Sequence, residues 1–254
     1  MLADSHAHIY SEDFDDDRDA VIRRALDAGV NKIILPNIDS SSVTRMLELS
    51  ERYPDICFPL MGLHPTSVKE NYSEELKKLR AILAERKFYG IGEIGIDLYW
   101  DKTFIEEQQD AFRQQVRLAK QLALPVVIHV RDSFDEVYKI IAGEQDGNLT
   151  GIFHCFTGTI GQAEKVIGAG FKLGIGGVVT FKNSNLREVL AQVDVKHLVL
   201  ETDSPYLAPA PFRGKRNESS YLLNIAREVA GIYQLPLSEV AEITTENVVN
   251  LFGI

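Results

Sequence analysis

Short apolar runs alternate along the chain with stretches whose apolar residues recur at three- and four-residue spacing. The runs are Leu2–His8, Lys32–Pro36, Cys57–His64, Tyr89–Ile94, Pro125–Val130, Gly151–Cys155, Phe171–Ile175 and Leu198–Thr202, which have the length and composition of buried strands. Between them, Val21-Ile22-Ala25-Leu26, Leu76-Leu79-Ile82-Leu83 and Val189-Leu190-Val193 put their apolar side chains on one helical face. Eight such strands alternating with helices over 254 residues match the size of a (β/α)8 TIM barrel, folded as one domain over residues 1–254. A doubly wound open sheet is the competing arrangement.

Local signals sharpen the helix boundaries. Thr103-Phe104-Ile105-Glu106 has the form of a capping box, so a long helix is expected from there to about Leu122. Gly29 and Gly170 each follow a helical stretch, where glycine closes a helix in the left-handed conformation at little cost.

The polar residues that interrupt the apolar pattern gather at one end of the runs. His6 and His8 close the first run, His64 the third, Glu93 the fourth, His129 the fifth and His154 the sixth, while Asp203 follows the eighth. In a parallel barrel all carboxyl ends share one rim, so these side chains converge on a single mouth. Within Asp4-Ser5-His6-Ala7-His8, an extended backbone sets alternate residues on one side about 6.6–7 Å apart, which predicts a common face for Asp4, His6 and His8. Singly, each of these residues also fits a helix cap or a buried, hydrogen-bonded imidazole. Jointly, burying so many ionisable groups is costly unless they are paired or hold a metal. They outnumber the ligands of one tetrahedral zinc, so two divalent ions are expected. Imidazole with carboxylate suits zinc or manganese, whereas magnesium favours oxygen ligands, and all three stay open as the working ion.

Composition constrains the setting. With 45% apolar and 25% charged residues the chain can bury a large core. No basic-then-apolar leader follows Met1 and no apolar run approaches membrane-spanning length, so a soluble cytoplasmic protein without membrane contact is expected, as a monomer or weak oligomer. Cys57 and Cys155 are expected as free thiols. A net charge of −10 argues against broad non-specific attachment to nucleic acid but leaves room for a locally gripped strand, because two bound cations offset four negative charges.

The motifs Asp4-Ser5-His6-Ala7-His8, Gly62-Leu63-His64-Pro65, Gly92-Glu93-Ile94-Gly95-Ile96-Asp97, His154-Cys155-Phe156-Thr157-Gly158 and Glu201-Thr202-Asp203-Ser204-Pro205-Tyr206 together resemble the TatD family of metal-dependent deoxyribonucleases, a branch of the amidohydrolase-like barrels. The resemblance runs in order over nearly the whole chain. It implies that His6, His8 and Asp203 hold one metal with Glu93, that Glu93, His129 and His154 hold the second, and that Glu93 bridges them. Many members of the wider superfamily bridge their metals with a carbamylated lysine on the fourth strand; this strand offers Glu93 and no lysine, which favours the TatD branch over dihydroorotase- or urease-like enzymes.

With that resemblance, Asp203 is the candidate general base, and His64 the group that orients the scissile phosphate or donates a proton to it. Arg213 and Lys215, in Arg213-Gly214-Lys215-Arg216-Asn217 after the eighth strand, are candidates for gripping phosphate, where barrel enzymes often do so. The family's usual stretch is Arg-Gly-Lys-x-Asn-x-Pro, and this chain carries Ser219 in place of the proline. Arg131, on the same strand face as His129, is a second phosphate candidate unless it pairs with an acid such as Glu201. Trp100, the sole tryptophan, lies just beyond the Glu93 motif in a loop suited to stacking a nucleobase. The resulting expectation is a 3′–5′ exonuclease on single-stranded or frayed DNA. A metal-dependent ester or amide hydrolase such as a D-aminoacyl-tRNA deacylase is the alternative, and a non-catalytic metal-binding protein comes last.

Overall fold

A computed structural model describes residues 1–254. The strands are β1 (Leu2–Asp4), β2 (Val30–Leu35), β3 (Cys57–Pro59), β4 (Ile91–Asp97), β5 (Val126–Arg131), β6 (Gly151–Phe153), β7 (Lys172–Ile175) and β8 (Leu198–Leu200). The helices are α1 (Arg18–Asp27), α2 (Val43–Arg52), α3 (Tyr72–Glu85), α4 (Ile105–Leu122), α5 (Phe134–Glu144), α6 (Ile160–Gly168), α7 (Leu186–Leu190), α8 (Leu222–Tyr233) and α9 (Leu237–Phe252).

All strand pairs are parallel, in the orders β1-β2-β3 and β4-β5-β6-β7-β8. Two isolated parallel bridges join the groups, Met61 with Ile91 and Ala7 with Ser204. Amide bonds reinforce both seams: Gly92 N donates to Met61 O at 3.0 Å, Ser5 N to Leu200 O at 2.9 Å and Asp203 N to His6 O at 2.9 Å. The sheet therefore closes on itself as the expected barrel, and no open edge remains as it would in a doubly wound sheet.

Side-chain alternation builds the interior in layers. Ala3, Ile34, Phe58, Leu60, Val127, Ile152 and Val199 form one apolar cluster with Val248 and Phe252 of α9, which plugs the amino-terminal end of the barrel. The strand faces directed outward join a second cluster with the helices, around side chains such as Phe14, Phe112, Phe153 and Phe171. Each fully buried side chain of this size contributes about 1.5–3 kcal/mol. Because the period of a strand is two, the residues that follow the inner layer on the same face are His129 after Val127, His154 after Ile152, and Glu201 and Asp203 after Val199. The chemistry thus sits one layer above a dry floor.

Several expected boundaries differ. β1 stops at Asp4 and β3 at Pro59, so His6, His8 and His64 lie beyond the regular ladder, while β4 runs on to Asp97. Since Ala3 faces inward, Asp4 faces outward, and a bend at Ser5 then turns His6 and His8 toward the mouth. Asp4 consequently does not share their face; it accepts from Thr202 and Ser219 instead. The capping box at Thr103 does not form: the Thr103 amide donates to Asp101 Oδ1 at 2.8 Å, and α4 begins at Ile105 without a side-chain cap. Its end at Leu122 is as expected. A capping box occurs at Thr159 and Gln162. The segment around Val189 is helical only over Leu186–Leu190, leaving Val193 outside. Gly29 and Gly170 take positive φ just past α1 and α6. No helix is long and apolar enough to cross a membrane. Both cysteines are free thiols.

Candidate metal centre

His6, His8, His64, Glu93, His129, His154 and Asp203 are brought together at the carboxyl end of the barrel, around the Glu93 carboxylate. An irregularity in the β4–β5 pairing between Ile91 and Ile94 places Glu93 there. Gly95, at φ +148, keeps β5 close: a Cβ at that position would lie 2.1 Å from the His129 carbonyl oxygen. Asp203 turns out of β8 at φ +56, a left-handed conformation that Asp tolerates better than most residues.

The two oxygens of Glu93 face different sets of donors. Oε2 lies 3.1 Å from His6 Nε2 and 3.5 Å from His8 Nε2, and those two nitrogens are 3.1 Å apart. Asp203 Oδ1 completes this set at 3.7 Å from His6 Nε2 and 3.8 Å from His8 Nε2. Ligand atoms on a tetrahedral shell of about 2.0–2.1 Å radius are about 3.3–3.4 Å apart, so these spacings bracket what one ion requires. Oε1 lies 2.7 Å from His129 Nδ1, 3.7 Å from His154 Nε2 and 3.3 Å from His64 Nε2. The groups close enough to share one ion are His6, His8 and Asp203; His6, Glu93 and His154; His64, Glu93 and His129; and His154, Cys155 and Glu201, so Glu93 belongs to two of them, and His154 falls with His6 where the sequence expectation paired it with His129.

Polar contacts on the far sides of the rings sort the histidines. The Tyr10 hydroxyl donates to the Pro36 carbonyl, so it accepts from His8 Nδ1 at 2.8 Å, and the His8 lone pair is on Nε2. His129 Nε2 donates to Asp97 Oδ2 at 2.9 Å, leaving Nδ1 bare toward Glu93. His154 Nδ1 lies 2.9 Å from Glu201 Oε1, which places its free nitrogen, Nε2, in the mouth. His64 is the reverse: its Nδ1 accepts from the Thr66 amide at 3.2 Å, so Nε2 carries the proton and presents a donor. Three of these rings are thus set up as ligands and His64 as a hydrogen-bond donor.

Without an ion the acids around two of these rings favour their protonated form: against the effect of burial, Asp97 and Glu93 raise His129, and Glu201 and Glu93 raise His154 to about 10. Burial favours the neutral acid, yet His64, His6 and His154 hold the Glu93 carboxyl well below the usual carboxylate range. Burial, with His154 close by, keeps the His6 imidazole well below its ordinary value, and burial lowers His64 as well. Burial pushes Asp203 up to about 6, placing a weakly basic carboxylate beside the ligands.

Comparison with known proteins fixes the family. The profile described as TatD related DNase matches residues 3–253. The chain belongs to the TatD family. It is 40% identical to the uncharacterized metal-dependent hydrolase YabD of Bacillus subtilis, over the full length of both. It is 31% identical to the 3′-5′ ssDNA/RNA exonuclease TatD of Erwinia tasmaniensis, again over all of both chains. The crystal structure of YJJV, a TatD homolog from Escherichia coli, superposes with a TM-score of 0.94 at 31% identity, covering 100% of this chain and 98% of that one.

In this TatD family chain, three supporting residues were not singled out from sequence. Asp97 and Glu201 brace His129 and His154, and Tyr10 braces His8. Asp97 had a signal, since it ends the motif that begins at Gly92; Tyr10 had a weaker one, two residues beyond His8. Glu201 is wholly buried and also accepts from the Cys155 amide at 2.6 Å, in a space that exists because residue 174 is glycine. The alternative considered for Arg131, an ion pair with Glu201, does not form. The Arg131 guanidinium instead covers the Tyr99 ring, 3.9 Å from its centroid, and lies 5.2 Å from that of Trp100.

The remaining rim residues are exposed. Trp100 is 70% exposed, Lys215 projects into solvent, and Arg213 lies over the Phe181 ring at 3.5 Å. Ser219, where the family usually carries proline, is buried and donates to Asp4 Oδ2 at 2.6 Å. The preceding loop is held by Asn217, whose side chain donates to Thr202 O at 2.7 Å and Tyr206 O at 2.6 Å.

Proposed function

We propose that this chain is a divalent-metal-dependent phosphodiesterase that shortens single-stranded or frayed DNA from its 3′ end, with residues 1–254 acting as one catalytic domain. The observation that carries the reading is the Glu93 carboxylate, whose two oxygens serve two separate donor sets. His6, His8, Glu93 and Asp203 would hold one ion, and Glu93, His129 and His154 the other. When bound, such a pair supplies Lewis acidity toward water and phosphoryl oxygens.

The protein's own groups do the rest. Asp203 takes a proton from the attacking water as the water oxygen bonds to phosphorus and the phosphorus–oxygen bond to the leaving strand breaks, and it returns that proton to the leaving oxygen. His64 offers its Nε2–H to a phosphate oxygen, a role its bond from Thr66 prepares. Arg131, Arg213 and Lys215 supply positive charge at the rim, and Trp100 an exposed ring for a base. The similarity to relatives named as 3′-5′ ssDNA/RNA exonucleases supports the choice of a nucleic-acid strand over other phosphodiesters.

The test is hydrolysis of 3′- and 5′-labelled single-stranded DNA by metal-stripped protein, with Mg²⁺, Mn²⁺ or Zn²⁺ returned separately and Asp203→Asn alongside. Stepwise loss from the 3′ end that needs metal and vanishes in Asp203→Asn is the expected result. DNA left intact with both ions bound would overturn the reading and direct attention to aminoacyl-tRNA and simple esters.

A further inference from the structure

Three aromatic side chains of this protein are exposed, and all three lie on the rim that carries the metal centre. Tyr99 and Trp100 follow β4, and Tyr206 follows β8, at 54%, 70% and 59% exposure. In the eight-stranded barrel β4 and β8 are four strands apart, so these loops face each other across the mouth. Contacts run unbroken from one wall to the other. The Tyr206 ring centroid is 6.5 Å from that of His8, and His8 Nε2 is 3.5 Å from Glu93 Oε2. Glu93 Oε1 is 2.7 Å from His129 Nδ1, whose ring reaches Asp97 at 2.9 Å. Asp97 Oδ1 in turn accepts from the amides of Tyr99 at 3.0 Å and Trp100 at 3.3 Å.

The carboxylate that braces a candidate ligand thus also fixes the backbone of one aromatic wall. The Trp100 wall carries a cation as well, the Arg131 guanidinium lying over Tyr99 and near Trp100, while Arg213, in the same loop after β8 as Tyr206, lies over Phe181. Exposed rings next to exposed cations are what a single nucleic-acid strand requires, because its bases stack on aromatic faces while its phosphates need positive charge. A paired duplex keeps every base face stacked except those of its end pairs, so it cannot offer a base to each wall.

We infer that Trp100, with Tyr99 and Arg131 behind it, and Tyr206 opposite form two stacking walls for the bases on either side of the scissile phosphate. The identity of the strand rests on the phosphodiesterase reading above. The walls make an unpaired end the binding form.

Trp100 is the only tryptophan, so its fluorescence reports one wall directly. The experiment titrates metal-loaded protein with a thymidine pentanucleotide carrying cleavage-slowing phosphorothioates at its 3′ linkages, and with versions abasic at each of the two 3′-terminal positions. A saturable fluorescence change is expected, with binding weakened about 5- to 150-fold by each missing base. Tyr206→Ala should lose a similar factor with the intact strand and nothing further when the base it stacks is already missing. Equal binding of intact and abasic strands, equal binding of a blunt duplex, or losses that multiply at both positions would overturn the inference. Base-dependent binding without cleavage of ordinary linkages supports the walls and removes the phosphodiesterase reading; cleavage without base dependence removes the walls alone.

Discussion

His129 donates through Nε2 to Asp97 Oδ2 at 2.9 Å, and this bond leaves its other nitrogen bare in front of Glu93. A histidine ligand is only as good as the group that fixes its tautomer. Asp97→Asn presents an amide whose NH₂ competes for the same ring nitrogen, so the ring can turn or change tautomer. We expect metal affinity to fall by about 10- to 100-fold, measured by competition with a chromogenic chelator, while circular dichroism shows the fold unchanged. Affinity within two-fold of the parent would show that Asp97 does not set the ring.

Two ions held only by the folded state stabilise it by mass action. At free metal about 100 times Kd a single site contributes about 2.7 kcal/mol, which for a chain of this size raises Tm by about 5–10 °C. Calorimetry with and without a chelator should show that shift, and Glu93→Ala should abolish most of it because both donor sets lose an oxygen. A variant that keeps the full metal-dependent shift would contradict a bridging role for Glu93.

Ser219 is a departure from the family's usual proline that the structure explains. Its hydroxyl is one of the donors that let a wholly buried Asp4 accept on both oxygens. Ser219→Ala leaves that carboxylate short of a partner and should cost about 1–3 kcal/mol in urea denaturation. Ser219→Pro, though closer to the family pattern, removes the same hydroxyl and is expected to destabilise as well. A change below about 0.5 kcal/mol in both would mean Thr202 and the backbone satisfy Asp4 without it.

The strand and helix rhythm was readable because a parallel barrel buries each strand on both faces, making the runs continuous and apolar. The seven mouth residues were readable for a related reason: a histidine directly after Val127-Ile128 or Phe153 is carried into the barrel by its apolar neighbours, where an imidazole must find a partner or a metal. The orientation of Asp4 was not, since it depends on the bend at Ser5, and one residue of slip reverses a side chain. Nor was the pairing of Asp97 and Glu201 with their histidines, across separations of 32 and 47 positions that only the closed barrel brings into contact, although Asp97 closes a recognisable motif. At Thr103 the local capping pattern lost to Asp101, whose carboxylate captured the amide first.

Cys57 offers a test of burial that is independent of the metal centre. Its thiol sits in β3, almost wholly inaccessible, and burial alone pushes it up from 9.0 to about 12. Between these values the folded chain keeps a proton that the unfolded chain has released, so stability falls as pH rises. By pH 10 the loss amounts to about 1.4 kcal/mol. Replacing the thiol removes this dependence while adding a cavity cost that is the same at every pH. Urea denaturation under reducing conditions should therefore find Cys57→Ala destabilised relative to the parent at pH 8, with the gap narrowed by about 1.4 kcal/mol at pH 10. Other alkaline titrations, such as those of buried tyrosines, are common to both proteins and cancel in the difference. A gap of equal size at both pH values would mean that the thiol ionises as readily inside the barrel as outside it.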